Sequence, residues 1–117
     1  MRVSGEDVRA VALSLGEVRE LFEWDMPTFR VAKKLFLTLP EGETSMAVRC
    51  PIAERNELVL AEPEKFWVAP HEAGGAWVRV RLAALEDHEE LAAIVLDSWR
   101  QAAPPKLVQQ RDAAEPA

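Results

Sequence analysis

The stretch that decides the fold is AGGAWVRVRL, residues 73–82. After two glycines, small apolar side chains alternate strictly with large polar or aromatic ones: Val78, Val80 and Leu82 form one set, and Trp77, Arg79 and Arg81 form the other. Such alternation predicts a β-strand with one buried face. A strand buried between two layers would be apolar on both faces, so the pattern indicates a sheet that is covered on one side only.

Other strands are predicted upstream by the same kind of alternation. Residues 18–23 form an imperfect first strand, and residues 28–39 and 46–50 read as further strands of a meander. Turns are predicted at 25–27 and at 40–43, where Pro and Gly supply the backbone that a hairpin needs.

Helices are predicted around these strands. The first begins at Ser4, a capping residue, and the second opens at Pro51, where the missing N–H costs nothing. The last begins at Asp87 and ends at Pro104–Pro105. Residues 108–117 are predicted to form a flexible polar tail. The order of elements predicts an α+β domain over residues 4–107, an antiparallel sheet with helices packed on one face.

Composition limits the classes of function. The chain has 117 residues, enough for one domain, and carries a net charge of −6. The acidic residues concentrate in the terminal segments, while the middle of the chain is close to neutral. An acidic protein is repelled by phosphate, so nucleic-acid binding would have to come from a local basic patch.

The cysteine content and the lack of long apolar runs indicate the cellular compartment of the protein. Cys50 is the one cysteine, which excludes an internal disulfide and fits a reducing cytoplasm. We read it as a small buried thiol. No apolar run approaches the roughly 20 residues that cross a bilayer, and the N-terminus does not read as a secretory signal. We expect a cytoplasmic protein with no membrane contact.

Residues suited to catalysis are scarce. The two histidines are His71, in a loop, and His88, at the start of the last helix. His71 is a conceivable base for Cys50, but nothing in their spacing supports such a pair. One cysteine and two isolated histidines cannot form a tetrahedral zinc site. We therefore expect no enzyme, no metal site and no cofactor.

Basic residues of the predicted sheet are better organised. The candidates are Arg30, Lys34, Arg49, Arg79 and Arg81, with Trp77 beside the last two. Alternation predicts that Arg30 and Lys34 share one face of a strand. Guanidinium and indole groups on an exposed sheet can contact phosphate and stack on bases. Equally, arginine stems can cover a Trp ring on an ordinary solvated surface.

Two other tryptophans, Trp24 and Trp67, lie beside predicted turns. They can line a groove or pack against the fold, and packing is the usual role of a large aromatic side chain. Trp99 is predicted to lie in the core, because it falls on the inner face of the last helix.

Four segments together resemble the MmcQ/YjbR family of small bacterial proteins. They are FEWDMPTFRVAKKLFLTL (22–39), MAVRCP (46–51), GGAWVRVRL (74–82) and LDSWRQA (96–102). The resemblance covers about residues 4–107. It departs from the family pattern where a glycine usually precedes the lysine of the first block, because here Ala32 and Lys33 precede Lys34.

The resemblance implies a sandwich similar to the frataxin-like (CyaY-like) fold and a DNA-binding role, attributed to a double-wing arrangement of strands. The residues that match are Arg30, Lys34, Arg49, Trp77, Arg79 and Arg81. Two alternatives stay open. A protein partner or a second copy of the chain would meet the Trp77 face or the sheet edge. By analogy with frataxin-like folds, the acidic N-terminal segment would handle a metal.

Overall fold

The computed structural model describes residues 3–40 and 42–114. The helices are α1 (Gly5–Leu13), α2 (Ile52–Ala61), α3 (His88–Ala102) and α4 (Pro105–Ala114). The strands are β1 (Val18–Glu23), β2 (Met26–Val31), β3 (Lys34–Thr38), β4 (Ser45–Arg49), β5 (Phe66–Trp67) and β6 (Trp77–Arg81). Two short 3-10 turns cover Pro70–Glu72 and Leu82–Ala84.

All six strands form one antiparallel sheet, in the order β1-β2-β3-β4-β6-β5. Helix α3 packs across β3 and β4, α1 packs between α3 and β1, and α2 packs against β5 and β6. The predicted α+β class, with helices on one face of the sheet, is confirmed. We call the other surface of the sheet the open face.

Register explains which side chains enter the core. Phe29, Leu37, Val48 and Val78 are aligned across four adjacent strands and are all buried. They pack with the inner face of α3, where Trp99 is 1% exposed, as predicted. Burial of each large apolar side chain contributes about 1.5–3 kcal/mol. The core therefore fixes β6 so that its polar side chains point to the open face.

Both early hairpins turn through residues with positive φ. Trp24 and Asp25 (φ +52° and +60°) form the β1–β2 turn, so β2 already begins at Met26 and the prediction of a turn at 25–27 is displaced. Ala32 and Lys33 (φ +48° and +71°) form the β2–β3 turn. This left-handed geometry suits two-residue hairpins but disfavours residues with a Cβ. A glycine before Lys34, as in the family pattern, would relieve that strain.

The C-terminal segment contains a further helix. Helix α3 ends at Ala102, two residues before the Pro104–Pro105 pair that was predicted to stop it, and α4 begins at Pro105 and runs to Ala114. Proline suits a first helical position because its missing N–H would be unpaired there anyway. The predicted tail 108–117 is thus helical through Ala114, and its last three residues lie outside the described ranges.

A buried hydroxyl joins α3 to the sheet where β3 and β4 separate. These strands pair at Leu37–Val48 and Thr38–Ala47, and a bulge in β3 lies next to that pairing. Ser98, fully buried, donates to the carbonyl of Phe36 and accepts from the backbone N–H of Arg49 at 2.9 Å. It thereby satisfies two backbone groups that the ladder leaves unpaired.

We expect Ser98→Ala to lower the free energy of unfolding by about 2 kcal/mol or more, because it leaves a buried carbonyl and a buried N–H without partners. Urea denaturation measures the change. Ser45→Ala is the control, since it removes a hydroxyl at a half-exposed position in β4, and it should change stability by less than about 0.5 kcal/mol. Equal stability of Ser98→Ala and the wild type would contradict the bridging role.

Candidate nucleic-acid interface

Arginine dominates the polar side chains of the open face. The strand residues there are those that alternate with the buried ones, and they include five arginines from four strands: Arg19, Arg30, Arg49, Arg79 and Arg81. Among strand residues, which all lie in the described ranges, Glu23 is the one acidic side chain on this face. The open face is therefore positive although the chain carries a net charge of −6.

Three of these arginines form a line across the sheet. Arg19 pairs in register with Arg30, and Arg30 pairs with Leu35. Arg49 donates from Nε to the carbonyl of Leu35 at 2.6 Å. We call Arg19, Arg30 and Arg49 the arginine row. It crosses three strand spacings, about 14 Å in all.

Each tryptophan of this face has an arginine beside its ring. The distances from guanidinium carbon to ring centroid are 6.0 Å for Arg30 and Trp24, 5.1 Å for Arg49 and Trp77, and 5.2 Å for Arg81 and Trp67. At these distances the cation is attracted to the ring. The contacts both shield the rings and keep the guanidinium groups in place, so the two interpretations of this face are compatible.

Arg30 belongs to a hydrogen-bonded network in the first hairpin. It donates to Glu23 Oε1 at 2.9 Å and to the carbonyl of Lys33 at 3.0 Å, and Thr28 donates to the same Glu23 oxygen at 2.7 Å. The bond from Arg30 and then that from Thr28 lower the pKa of Glu23. The carboxylate is ionised at neutral pH and offsets one positive charge of the row.

Arg79 is held by a carboxylate from the loop before β6. It donates from Nε and from a terminal nitrogen to the two oxygens of Glu72, at 3.0 and 2.9 Å, and its side chain is 14% exposed. Nε2 of His71 lies 3.4 Å from the same terminal nitrogen. The Pro70–Glu72 turn thus partly covers β6, and Arg79 holds this turn to the sheet.

A buried arginine of α2 positions the loop before β6. Arg55 is 5% exposed and donates to the carbonyls of Ala73, Gly75 and Trp77, at 2.7–3.2 Å. Nothing in the sequence marks this arginine as a residue that holds a loop in place. The planar guanidinium of Arg55 carries several N–H donors, so it can bind several carbonyls at once.

Between the first hairpin and this loop lies a pocket of about 360 Å³ on the open face. Its lining residues are Trp24, Met26, Leu35, Thr38, Ala47, His71, Glu72, Trp77 and Arg79. The small side chains of Thr38 and Ala47, aligned in register, give it depth. Trp24 lines this groove and does not pack in the core, since it is 64% exposed.

The predicted basic residues are not all brought together. Arg30, Arg49, Trp77, Arg79 and Arg81 lie on the open face, but Lys34 pairs in register with the buried Val31 and does not share a face with Arg30. That expectation was wrong because the chain turns at Ala32–Lys33, which puts Arg30 and Lys34 on different strands. Arg19 was not predicted to belong to this face, although the alternation of residues 18–23 places it on the opposite face of the strand from Val18.

Candidate catalytic groups lie apart. Cys50 is buried in the core on the helix side, where burial raises its pKa to about 11. His71 lies on the open face, so the two form no nucleophile and base pair. His88 stands 3.4 Å from Asp7 in α1. Within the described residues, no three His, Cys, Asp or Glu side chains are grouped as a metal site would require.

No helix within residues 3–40 and 42–114 combines the length and the apolar character needed to cross a bilayer.

Fold and site together define a small α+β protein with a basic, tryptophan-bearing sheet face. A family model described as YjbR matches residues 13–101, and the chain belongs to the YjbR family. The fold is similar to the crystal structure of Deinococcus radiodurans protein DR2400, which has a DUF419 domain. The TM-score is 0.70 at 21% identity, over 85% of this chain and 77% of that one. No curated protein matches the sequence.

We expect Arg55→Lys to destabilise the loop before β6, because one ammonium cannot reach all three carbonyls. The expected loss is about 2 kcal/mol of unfolding free energy, with faster amide exchange over residues 73–77. Urea denaturation and hydrogen exchange measure both effects. Asn56→Ala, on the exposed side of the same helix, is the control. Unchanged exchange in the Arg55→Lys variant would show that the clamp is dispensable.

Proposed function

We propose that the chain is a non-enzymatic DNA-binding module of the cytoplasm that contacts the phosphate backbone with its open face. The observation that carries the proposal is the segregation of charge: five strand arginines and one strand glutamate lie on a face of a protein with net charge −6. Phosphate contacts dominate the affinity of sequence-independent binding.

Charge on this face is only partly neutralised. Arg30 and Arg79 have carboxylate partners, Glu23 and Glu72. Arg49 and Arg81 instead donate to neutral backbone carbonyls, and Arg19 is exposed. Burial lowers the pKa of Arg49, but an arginine stays protonated at neutral pH. These three guanidinium groups keep their charge for an anionic partner.

The arrangement favours phosphate contact over base reading. The arginine row lies across a broad sheet, whereas base edges in the major groove are read by a helix or a two-stranded ribbon that fits about 12 Å of groove width. Phosphate contacts orient a protein on DNA without selecting its sequence. We therefore expect binding with little sequence preference.

Fluorescence anisotropy with a labelled 20-nucleotide DNA tests the proposal. Affinity should fall steeply with salt, and Arg19→Gln or Arg81→Gln should each reduce the slope of log K against log salt by about one. Lys106→Gln, an exposed change on α4, is the control and should leave the slope unchanged. Absence of binding at about 20 mM salt, in single- and double-stranded DNA alike, would reject the proposal.

A second candidate function is protein association at the β1 edge. This outer strand carries exposed apolar side chains, with Leu21 43% and Phe22 72% exposed. An open edge with such residues is a template for pairing with another strand. A second copy of the chain is the simplest partner.

Sedimentation of the protein without DNA tests this second function. Self-association would give twice the monomer mass, and Phe22→Ser would restore the monomer, because it removes the largest apolar contact of the edge. Leu60→Ser, an 86% exposed change on α2, should not alter the dimer. A monomer at all concentrations would leave the edge without a self-pairing role.

A further inference from the structure

The pocket on the open face has the size and chemistry of a site for a flat ring. It measures about 360 Å³, and its lining includes two indoles, Trp24 of the first hairpin and Trp77 of β6. Its base is formed by small or apolar side chains, and Thr38 and Glu72 add a hydroxyl and a carboxylate. Ligand pockets commonly combine such an apolar lining with a few polar groups.

We infer that this pocket takes one unpaired nucleobase from a DNA strand that lies along the arginine row. The inference rests on the proposed function and adds to it a preference for single-stranded or locally unpaired DNA. A paired nucleobase stays inside the helical stack and cannot reach the bottom of the pocket. An unpaired nucleobase is free to enter it.

Exposed indole surface supports stacking as the mode of recognition. Trp24 is 64% exposed at a hairpin tip, and the guanidinium carbon of Arg30 lies 6.0 Å from its ring centroid. Sequence-tolerant binding of single strands uses aromatic side chains in this way, because every base has a flat face to stack. The binding energy of such a contact is realised only when a base covers the ring.

Two arginines lie beside the tryptophans of the pocket, and one of them can contact the backbone next to the inserted base. Arg30 is next to Trp24, and Arg49 is next to Trp77. The two tryptophans that line the pocket are therefore each accompanied by a cation of the arginine row. A strand that places one base against the indoles brings a flanking phosphate toward Arg49, which donates to the carbonyl of Leu35 and not to a carboxylate.

A carboxylate at the pocket adds an acceptor for a base edge. Glu72 is held by two hydrogen bonds from Arg79. A carboxylate has about four acceptor positions, of which Arg79 takes two, and Nε2 of His71 lies 3.5 Å from Oε2, so acceptor capacity remains chiefly on Oε1. The Thr38 hydroxyl can donate or accept, which suits the mixed edges of the four bases.

The experiment compares three 20-nucleotide probes by anisotropy at one low salt concentration: a single strand, its duplex, and a duplex with one central mismatch. Free nucleoside monophosphates are titrated separately. We expect the single strand to bind about tenfold tighter than the matched duplex, with the mismatched duplex between them. Trp24→Ala should weaken single-strand binding about tenfold, the value of one base stack, and leave matched-duplex binding unchanged.

Leu60→Ala is the control, because Leu60 is an exposed apolar residue of α2 outside the pocket, and it should leave all affinities unchanged. Equal binding of all three probes, or a Trp24→Ala variant that behaves as wild type, would overturn the inference while the proposed function stands. Binding of free nucleotides but of no DNA would also overturn it, together with the proposed function.

Discussion

The hydroxyl of Ser98 is the contact on which the layout of the sheet depends. At the bulge in β3, the strand leaves the ladder and turns a carbonyl toward α3, while β4 turns an N–H the same way. The Ser98 side chain of α3 forms hydrogen bonds with both groups. Gln101 of the same helix donates to the carbonyl of Arg49. The helix thus replaces the backbone hydrogen bonding that is missing between β3 and β4 at this point.

That replacement also determines where the functional side chains lie. Because the backbone of Arg49 is held by α3, its guanidinium can bridge to the carbonyl of Leu35 on the opposite face and lie over Trp77. Arg55 acts similarly from α2, since it fixes the loop that leads into β6. The open face is therefore arranged largely by residues on the covered side.

Much of this architecture could be predicted from the sequence because alternation reports burial directly. The pattern of residues 77–82 predicted both the strand and the face on which its two arginines lie. Alternation could not reveal where a strand ends, so the turn at Ala32–Lys33 passed unnoticed and Lys34 was assigned to the wrong face. The start of α4 was not predicted, because Pro104 and Pro105 were interpreted as the end of the preceding helix. Proline can also occupy the first position of a helix.

The pocket and the Arg55 clamp lay beyond sequence reasoning for a different reason. Both depend on contacts between segments about 20 residues or more apart, and neither leaves a periodic trace. A buried arginine looks like any surface arginine in a helix until its acceptors are known.

The distribution of the indoles gives the molecule a built-in optical readout. The chain has four tryptophans and no tyrosine, so its near-ultraviolet emission comes from these four rings. Three of them lie at the open face, and Trp99 is enclosed in the core with its Nε1 bonded to the carbonyl of Gly16 at 3.1 Å. Quenching by a dissolved collisional agent should therefore separate two emitting populations, one accessible from the sheet surface and one protected until the chain unfolds.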